Sequence, residues 1–396
     1  MPGSRSDGMW SRIALLAVGT FAIGTDGFIV AGVLQDISHR LDVSVAAAGQ
    51  LVTVFAVVYA ISSPVVASLT ANLPRRTLLL VALSVFIVGN AMAALAESYA
   101  MLMAGRIVAA VASAAYTPCA SVTAAILAGP AHRGRALSVV MGGITVATIV
   151  GVPVGTWLGE PGGFRAAFWL VTGLGVAALA GLALRLPELP APPAVTLGER
   201  VRSLRLPQVP GTLIVTTLAM TAGFTVYTYI GPLLAETMHA EGRTLSLVLC
   251  AFGIAGTIGN GLSGWLADRW GANRTVATSL IAVTGILAVF PSLATTLPGA
   301  LLGVAVWNSA GWLLLPAQQH RLLATAPQVG QILVSLNASA LYLGIGVAGL
   351  LGGWVIQLWS ARALGPVAAL VAALALVVHV LNARDSRRSA VVREQG

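Results

Sequence analysis

The sequence predicts an all-α membrane protein in which twelve transmembrane helices form two pseudo-symmetric six-helix bundles. Three observations lead to this fold class: an apolar composition, long apolar stretches along the whole chain, and a polar segment that divides those stretches into two equal sets. Of the 396 residues, 57% are hydrophobic and only 9% are charged. A soluble domain carries roughly 25% charged residues, so the composition excludes a soluble protein.

The apolar stretches have the length of membrane spans. A helix needs about 20 apolar residues to cross the hydrocarbon core of a bilayer. The predicted spans are 13–34, 46–69, 77–96, 101–127, 136–158, 166–185, 211–235, 244–267, 275–296, 299–323, 329–357 and 364–382.

The polar segment 186–210 contains several prolines and arginines, so a continuous helix through it is excluded and we expect a cytoplasmic linker. It separates an N-terminal bundle, 1–185, from a C-terminal bundle, 211–396. The turn after the second span (67–77, ASLTANLPRRT) resembles the turn after the eighth (264–275, GWLADRWGANRT). Such an internal repeat is typical of secondary transporters, which bind substrate between their halves.

The basic residues predict the orientation in the membrane rather than a nucleic-acid partner. The formal net charge is +9 and every basic residue is an arginine. Arg40, Arg165, Arg243 and Arg362 lie at one set of span ends, and all the others except Arg106 lie at the opposite set. Because cytoplasmic loops are enriched in basic residues, we expect both termini in the cytoplasm of a multi-pass protein of the bacterial inner membrane.

Asp26 and Arg106 are the two strongly ionisable side chains far from span ends. A charge at bilayer depth costs at least ~2.5–3.5 kcal/mol, so it requires a partner or a function. At 1.5 Å per residue, Asp26 lies roughly 12 Å and Arg106 roughly 8 Å from the outer end of its span. These depths permit an ion pair. A buried carboxyl resists ionisation and can exchange a proton, so we predict a proton-coupling role for both residues. The alternatives are an Asp26 that caps a helix or lies in a loop, and an Arg106 that extends to the outer membrane interface.

Several motifs resemble those of the major facilitator superfamily. Residues 264–274 (GWLADRWGANR) resemble its loop motif, 102–106 (LMAGR) its fourth-helix arginine motif, and 142–159 its fifth-helix antiporter motif. The opening region, 24–60, is similar to actinobacterial drug:proton antiporters of this superfamily, including chloramphenicol-resistance and arabinose-efflux-like permeases. The resemblance covers essentially the whole chain. It implies two six-helix bundles, alternating access, and adjacent first and fourth spans.

The resemblance also suggests roles for two further groups of residues. A stripe of small residues in span five implies a close contact with span eleven that favours antiport, although it is equally compatible with ordinary packing. This stripe contains Gly151, Pro153, Gly155 and Gly159. Charged residues in the two repeated turns imply a cytoplasmic gate, or else determine topology alone: Asp268, Arg269, Arg75 and Arg76.

Aromatic and amide side chains within the spans predict a weakly polar substrate cavity. Each of them alone is more typical of packing than of ligand contact. The candidates are Tyr59, Tyr116, Phe224, Tyr227, Asn260, Asn308, Asn337 and Tyr342.

Together these features predict proton-coupled export of a small, mostly hydrophobic compound such as a drug or antibiotic. The alternative is proton-coupled transport of a metabolite such as a sugar, nucleoside or amino acid. A non-transporting membrane protein or an enzyme is disfavoured, because neither gives the buried charges a role and no catalytic or metal-ligand cluster is apparent. We expect no cofactor and no nucleic acid. The expected partners are substrate, protons and the lipid bilayer, and the expected state is a monomer.

Overall fold

The computed structural model describes residues 3–70, 72–189, 198, 202–206, 208–240, 242–326 and 329–394. Every regular element among these residues is a helix. The predicted all-α class is therefore confirmed.

The first compact unit contains residues 1–194 and 245–250. Two glycines break its longest helices: Gly129 has φ 67° and Gly163 has φ 70°, a region of backbone space that glycine enters without steric cost. Because a π turn joins the fourth helix to the fifth, these two breaks divide the unit into six membrane-length segments. The elements are α1 (Gly3–Arg40), α2 (Val45–Leu69), α3 (Arg75–Ala94), α4 (Tyr99–Val146), a π turn (Ala147–Gly151) and α5 (Val152–Arg185).

The second unit contains residues 195–244 and 251–396. Two of its spans are interrupted, one at Tyr229 and one at Leu313, where a new helix begins at the next residue. The elements are α6 (Val209–Thr228), α7 (Ile230–Met238), α8 (Gly242–Trp270), α9 (Ala272–Leu293), α10 (Leu297–Trp312), α11 (Leu314–Thr325), α12 (Gly330–Leu358), a short 3₁₀ helix (Ala361–Ala363) and α13 (Leu364–Glu394).

The predicted spans all fall on helices. Among the described residues, eleven helical stretches are long and apolar enough to cross a membrane. One of these, His132–Arg185, is 54 residues long and contains two predicted spans on either side of Gly163. Within the predicted linker, residues 190–197, 199–201 and 207 lie outside the described residues. The domain limits at 185 and 211 therefore stay predictions.

The internal repeat is visible in a hydrogen bond that recurs in both units. Thr20 Oγ1 on the first span donates to the carbonyl oxygen of Val140 on the fifth, over 2.5 Å. In the second unit, Thr217 Oγ1 on the seventh span donates to the carbonyl oxygen of Ala340 on the eleventh, over 3.1 Å. Each unit therefore joins its first and fifth spans through a threonine hydroxyl and a backbone carbonyl.

The glycine stripe of span five packs against α1. A Cβ added to any of its three glycines would collide with an α1 side chain: Thr25 at Gly151, Ile29 at Gly155 and Val33 at Gly159. The open faces of these three glycines therefore point to α1, and contact of the stripe with span eleven stays a prediction. Small residues here let the two helix backbones approach closely.

Pro153 is buried within the same stripe and follows the π turn Ala147–Gly151. Proline has no N–H to donate to the carbonyl of residue 149, so the regular α-helical ladder is interrupted there. A π turn is a common way for a helix to absorb such a disturbance. The predicted antiporter motif thus coincides with an irregular part of span five.

Helices α3 and α4 approach each other closely where Gly89 meets Gly105. A Cβ on Gly89 would lie 2.7 Å from the backbone nitrogen of Ala109, and a Cβ on Gly105 would lie 2.7 Å from the carbonyl oxygen of Gly89. Neither position therefore has space for a larger residue. The chain neighbours of these glycines are Asn90 and Arg106, which both belong to the site described below.

We expect Gly89→Ala to lower the free energy of unfolding by about 1–3 kcal/mol, because the added methyl group forces α3 and α4 apart. The control is Gly173→Ala on α5, where a Cβ would meet no atom within 4 Å. Thermal unfolding of the purified protein, followed by tryptophan fluorescence, measures both. Equal unfolding midpoints for the two variants would contradict the close contact.

Candidate functional site

The predicted contact between Asp26 on α1 and Arg106 on α4 is present. Arg106 Nη1 donates to Asp26 Oδ1 and also to the main-chain oxygen of Asp26, the latter over 3.1 Å. Both residues are 0% exposed. Both residues belong to the first unit. Because the Arg106 side chain is buried against Asp26, the alternative in which it extends to the membrane interface is excluded.

Aromatic rings and an amide surround the charges. The guanidinium carbon of Arg106 lies 4.2 Å from the ring centre of Phe55 on α2 and 5.9 Å from that of Phe168 on α5. A guanidinium near the face of an aromatic ring is stabilised by the ring quadrupole. The side-chain amide of Asn90 on α3 donates to the Phe86 carbonyl oxygen over 3.1 Å and also interacts with the Asp26 carboxyl.

Several polar atoms of this site have no hydrogen-bond partner among the described residues. The acceptors are Asp26 Oδ2 and Asn90 Oδ1, and the donors are Arg106 Nε and Nη2. Buried polar atoms without partners are unfavourable by ~1–3 kcal/mol each.

The chemistry of the pair is asymmetric. The carboxyl of Asp26 can become neutral by taking a proton, whereas a guanidinium stays protonated in proteins. Protonation of Asp26 would therefore leave the positive charge of Arg106 buried without a counter-ion, which is strongly unfavourable. The state of one carboxyl group can thus change the stability of the packing between α1 and α4.

The four predicted gate residues lie at helix ends and form no ion pair within the described part of the chain. Arg75 Nη1 contacts Cys119 Sγ at 3.7 Å, and Arg76 Nη2 donates to the carbonyl oxygen of Ala183 over 2.8 Å. Asp268 is exposed, and the guanidinium carbon of Arg269 lies 5.4 Å from the ring centre of Trp265. Their role as a gate stays a prediction.

Two of the predicted aromatic residues of the second unit, Phe224 and Tyr227, form part of a continuous ring cluster. The ring centres of Phe224 and Tyr227 are 5.4 Å apart, and those of Tyr227 and Phe252 are 4.6 Å apart. Phe252 in turn lies 5.0 Å from Trp307. A cavity of about 30 Å³ opens beside this cluster, and among its lining residues are Met220, Phe224, Phe252, Trp307, Asn308 and Trp312.

Three other residues predicted to contact substrate form hydrogen bonds with residues of their own unit. The Tyr116 hydroxyl donates to the Leu16 carbonyl oxygen over 3.1 Å. Asn308 Nδ2 donates to the Phe252 carbonyl oxygen over 2.6 Å. Asn337 Oδ1 accepts from Thr216 Oγ1 over 2.8 Å.

The last three candidates differ in exposure. Tyr59 is buried on α2, with its ring centre 6.5 Å from that of Phe55. Asn260 on α8 is exposed and Tyr342 on α12 is partly buried. Substrate contact by all eight residues stays a prediction.

Sequence reasoning missed the residues that surround the charge pair. Asn90, Phe55 and Phe168 carry no charge and look like ordinary span residues in the sequence. Asn90 alone carries a sequence signal, because it is the one amide side chain in its predicted span. No group of three metal-ligating side chains occurs in the described part of the chain.

Comparison with known families identifies the chain. The sequence-family model described as Major Facilitator Superfamily matches residues 16–332 and 212–395 of this chain. The chain belongs to the major facilitator superfamily. The overlap of the two matched ranges agrees with an internal repeat of the same family architecture.

Relatives of similar length support this membership. The chain is 34% identical to the "Inner membrane transport protein YdhP" of Escherichia coli (strain K12) over 378 residues, which cover 95% of this chain and 97% of that protein. It is 30% identical to the "Uncharacterized MFS-type transporter YbcL" of Bacillus subtilis (strain 168), over 93% of this chain and 95% of that protein. Family and relatives indicate a multi-pass inner-membrane transporter rather than an enzyme.

Solved structures share the fold. A bacterial homologue of the human lysosomal transporter Spinster, inward-facing and unoccupied, matches with a TM-score of 0.75 at 18% identity, over 97% of this chain and 98% of that one. The human organic anion transporter MFSD10 (TETRAN) matches with a TM-score of 0.70 at 15% identity, over 96% of this chain and 100% of that one. At these identities the likeness shows the fold alone.

We expect Asp26→Asn to destabilise the protein more than Arg106→Gln does. The first change leaves a guanidinium that cannot lose its charge, at a penalty of about 3–5 kcal/mol, whereas Asp26 can neutralise itself by protonation when Arg106 is absent. The double variant, in which neither charge remains, should recover part of the stability lost in Asp26→Asn. Thermal unfolding of all three measures this order.

The matched control is Arg362→Gln, which removes the same charge from an exposed pair with Glu236 at 3.7 Å. Exposed pairs contribute ~0–1 kcal/mol, so its midpoint should stay close to that of the unchanged protein. Purely additive losses in the double variant would show that the two charges are not energetically coupled.

Proposed function

We propose that this transporter exports a small, mostly hydrophobic compound in exchange for protons, by alternating access. The observation that carries the proposal is the fully buried pair of Asp26 and Arg106. Charged side chains inside a membrane protein are costly and are typically retained for function. A carboxyl group that alternates between a proton and a guanidinium supplies the coupling that such exchange requires.

In this proposal Asp26 carries the proton and Arg106 responds to it. When Asp26 is ionised, the ion pair holds α1 and α4 together. When Asp26 is protonated, Arg106 loses its counter-ion and is stabilised only if its guanidinium reaches another acceptor. The two protonation states therefore favour different packing of the first unit, and a ligand that prefers one of them shifts the population.

The aromatic cluster of the second unit supports an apolar substrate. Its cavity is lined by rings and by a methionine, with Asn308 contributing an amide whose Nδ2 already has a partner. Sites of this composition bind apolar or weakly polar molecules. The present volume of about 30 Å³ is close to that of one water molecule, so a drug-sized compound requires the rings to move apart.

A metabolite substrate is the second candidate. Buried hydroxyl and amide groups of the second unit favour it, among them Thr216, Gln318 and Asn337. These groups bond to one another and to the backbone, with Gln318 Nε2 donating to the Thr212 carbonyl oxygen over 3.0 Å. Because their hydrogen bonds are largely satisfied internally, we rank the metabolite below a hydrophobic compound.

Proton movement in proteoliposomes tests the proposal. A panel of hydrophobic antibiotics is added to one set of vesicles, and sugars, nucleosides and amino acids are added to another. We expect antibiotic-triggered proton flux with the unchanged protein and none with the double variant Asp26→Asn/Arg106→Gln, which keeps the site electrically neutral.

The control is Asp36→Asn, which removes a partly exposed carboxylate from the same helix. This variant should retain the flux. Flux that survives in the double variant would move the proton site elsewhere, and flux triggered by metabolites alone would replace the hydrophobic substrate by the second candidate.

Substrate recognition is tested by Phe224→Leu, which removes a ring that lines the cavity. An aromatic pair contributes ~0.5–1.5 kcal/mol beyond area burial, so we expect binding of an aromatic antibiotic to weaken about threefold to tenfold. The control is Phe290→Leu: that ring packs on Trp307 at 5.6 Å but does not line the cavity. Equal binding by both variants would place the substrate elsewhere.

A further inference from the structure

A polar cavity of about 460 Å³ opens at the end of the second unit where α8 gives way to α9. Its volume falls in the range of ~300–1,000 Å³ that is typical of ligand pockets. Three basic side chains line it, and none of its lining residues is acidic. Among its polar and aromatic members are Gln208, Trp270, Asn273, Arg274, His320 and Arg321. The substrate cluster described above does not share any of these residues.

Arg321 is the most constrained charge in this cavity. It is partly buried, and its Nη1 donates to Gln318 Oε1 over 2.6 Å. No carboxylate lies within ion-pair distance of Arg321, Arg274 or His320 in the described part of the chain. Because a guanidinium is always protonated, the cavity contains fixed positive charge that no carboxylate of the described residues neutralises by an ion pair.

His379 on α13 fixes the position of Arg321. Its Nδ1 lies 3.3 Å from Arg321 Nη1, and its Nε2 lies 3.0 Å from the carbonyl oxygen of Asn273. Arginine can only donate, so Nδ1 accepts and Nε2–H donates to Asn273, which assigns the tautomer from the hydrogen-bond network. His379 thus links the guanidinium to the first turn of α9.

The start of α9 adds backbone donors to the same cavity. Gly271 has φ 84°, and no side chain caps the helix. The first N–H groups of a helix have no intrahelical partner and form the positive end of its dipole, so they attract anions. Gly271, Ala272, Asn273 and Arg274 all line the cavity, which brings these donors and the arginines to one place.

We propose that this cavity binds a phosphate-bearing anion. Two arginines, a histidine and free backbone N–H groups are the donors that proteins use for phosphate oxygens. The arginine distribution predicts that this end of the bundle faces the cytoplasm, where both the headgroups of anionic lipids and free phosphate are available. The inference is independent of proton coupling and of the exported compound.

Thermal unfolding of the full-length purified protein tests the proposal in two arms. In the first, inorganic phosphate is titrated onto protein in a neutral detergent. In the second, phosphatidylglycerol or zwitterionic phosphatidylcholine is added as mixed micelles. A ligand that binds only the folded state raises the unfolding midpoint, so we expect a rise with phosphate, with phosphatidylglycerol or with both, and none with phosphatidylcholine.

Three variants assign the effect to the cavity. Arg274→Gln changes an exposed side chain, which should leave the fold intact and weaken the apparent affinity about tenfold, as expected for the loss of one charge-assisted hydrogen bond. Arg321→Gln should remove most of the rise. The matched control is Arg269→Gln, which removes the same charge at the same end of the unit from a residue that does not line the cavity.

A rise in both arms that is lost in Arg274→Gln and kept in Arg269→Gln would support recognition of the phosphate group itself. A rise in the lipid arm alone, with the same pattern of variants, would support a lipid headgroup as the ligand. No rise in either arm would overturn the proposal. Equal loss in Arg274→Gln and Arg269→Gln would also overturn it, since that pattern reflects surface charge in general.

Discussion

The burial of one carboxylate and one guanidinium against each other is the constraint on which the first unit depends. Away from water, each charge is tolerable only in the presence of the other. Asp26 and Arg106 come from different helices, so the requirement for pairing fixes the position of α1 relative to α4. The rings of Phe55 and Phe168 then enclose the guanidinium from α2 and α5. A single ion pair thus involves most of the helices of the unit.

Small residues make this arrangement sterically possible. Lipid is as apolar as a leucine side chain, so helices in a membrane associate through close packing and hydrogen bonds rather than through the hydrophobic effect. Gly89 and Gly105 allow α3 and α4 to approach at the level of Asn90 and Arg106. The span-five stripe at Gly151, Gly155 and Gly159 does the same for α1. At Gly89, Gly105 and Gly151, close packing of the helices therefore occurs beside the buried ion pair.

The two units share an architecture but differ in chemistry. Both join their first and fifth spans by a threonine hydroxyl that donates to a backbone carbonyl. Both units bury hydroxyls, amides and aromatic rings. The first unit also contains the buried ion pair, and in the second the rings form a row beside a cavity. Arg274, His320 and Arg321 of the second unit line one cavity at the end where α8 meets α9. A division between a unit that responds to protons and a unit that contacts apolar substrate agrees with the proposed function.

The sequence by itself determined the number and placement of the membrane helices. This information is local: about 20 apolar residues in succession, interrupted by arginine and proline, define a span whatever its neighbours are. The importance of Asp26 and Arg106 was equally readable, because any charge within an apolar stretch stands out. Even their common depth followed from the helical rise per residue.

Only the tertiary structure decided which side chains surround those charges. Asn90, Phe55 and Phe168 have no distinctive local pattern, and their role arises from contacts between residues far apart in the chain. The same reason explains the glycine stripe, whose sequence indicated a close contact but whose partner, α1, depended on how span five is rotated. It also explains Arg321, which looks like a topology determinant in the sequence. Its link through His379 to the first turn of α9 requires three helices to be packed together.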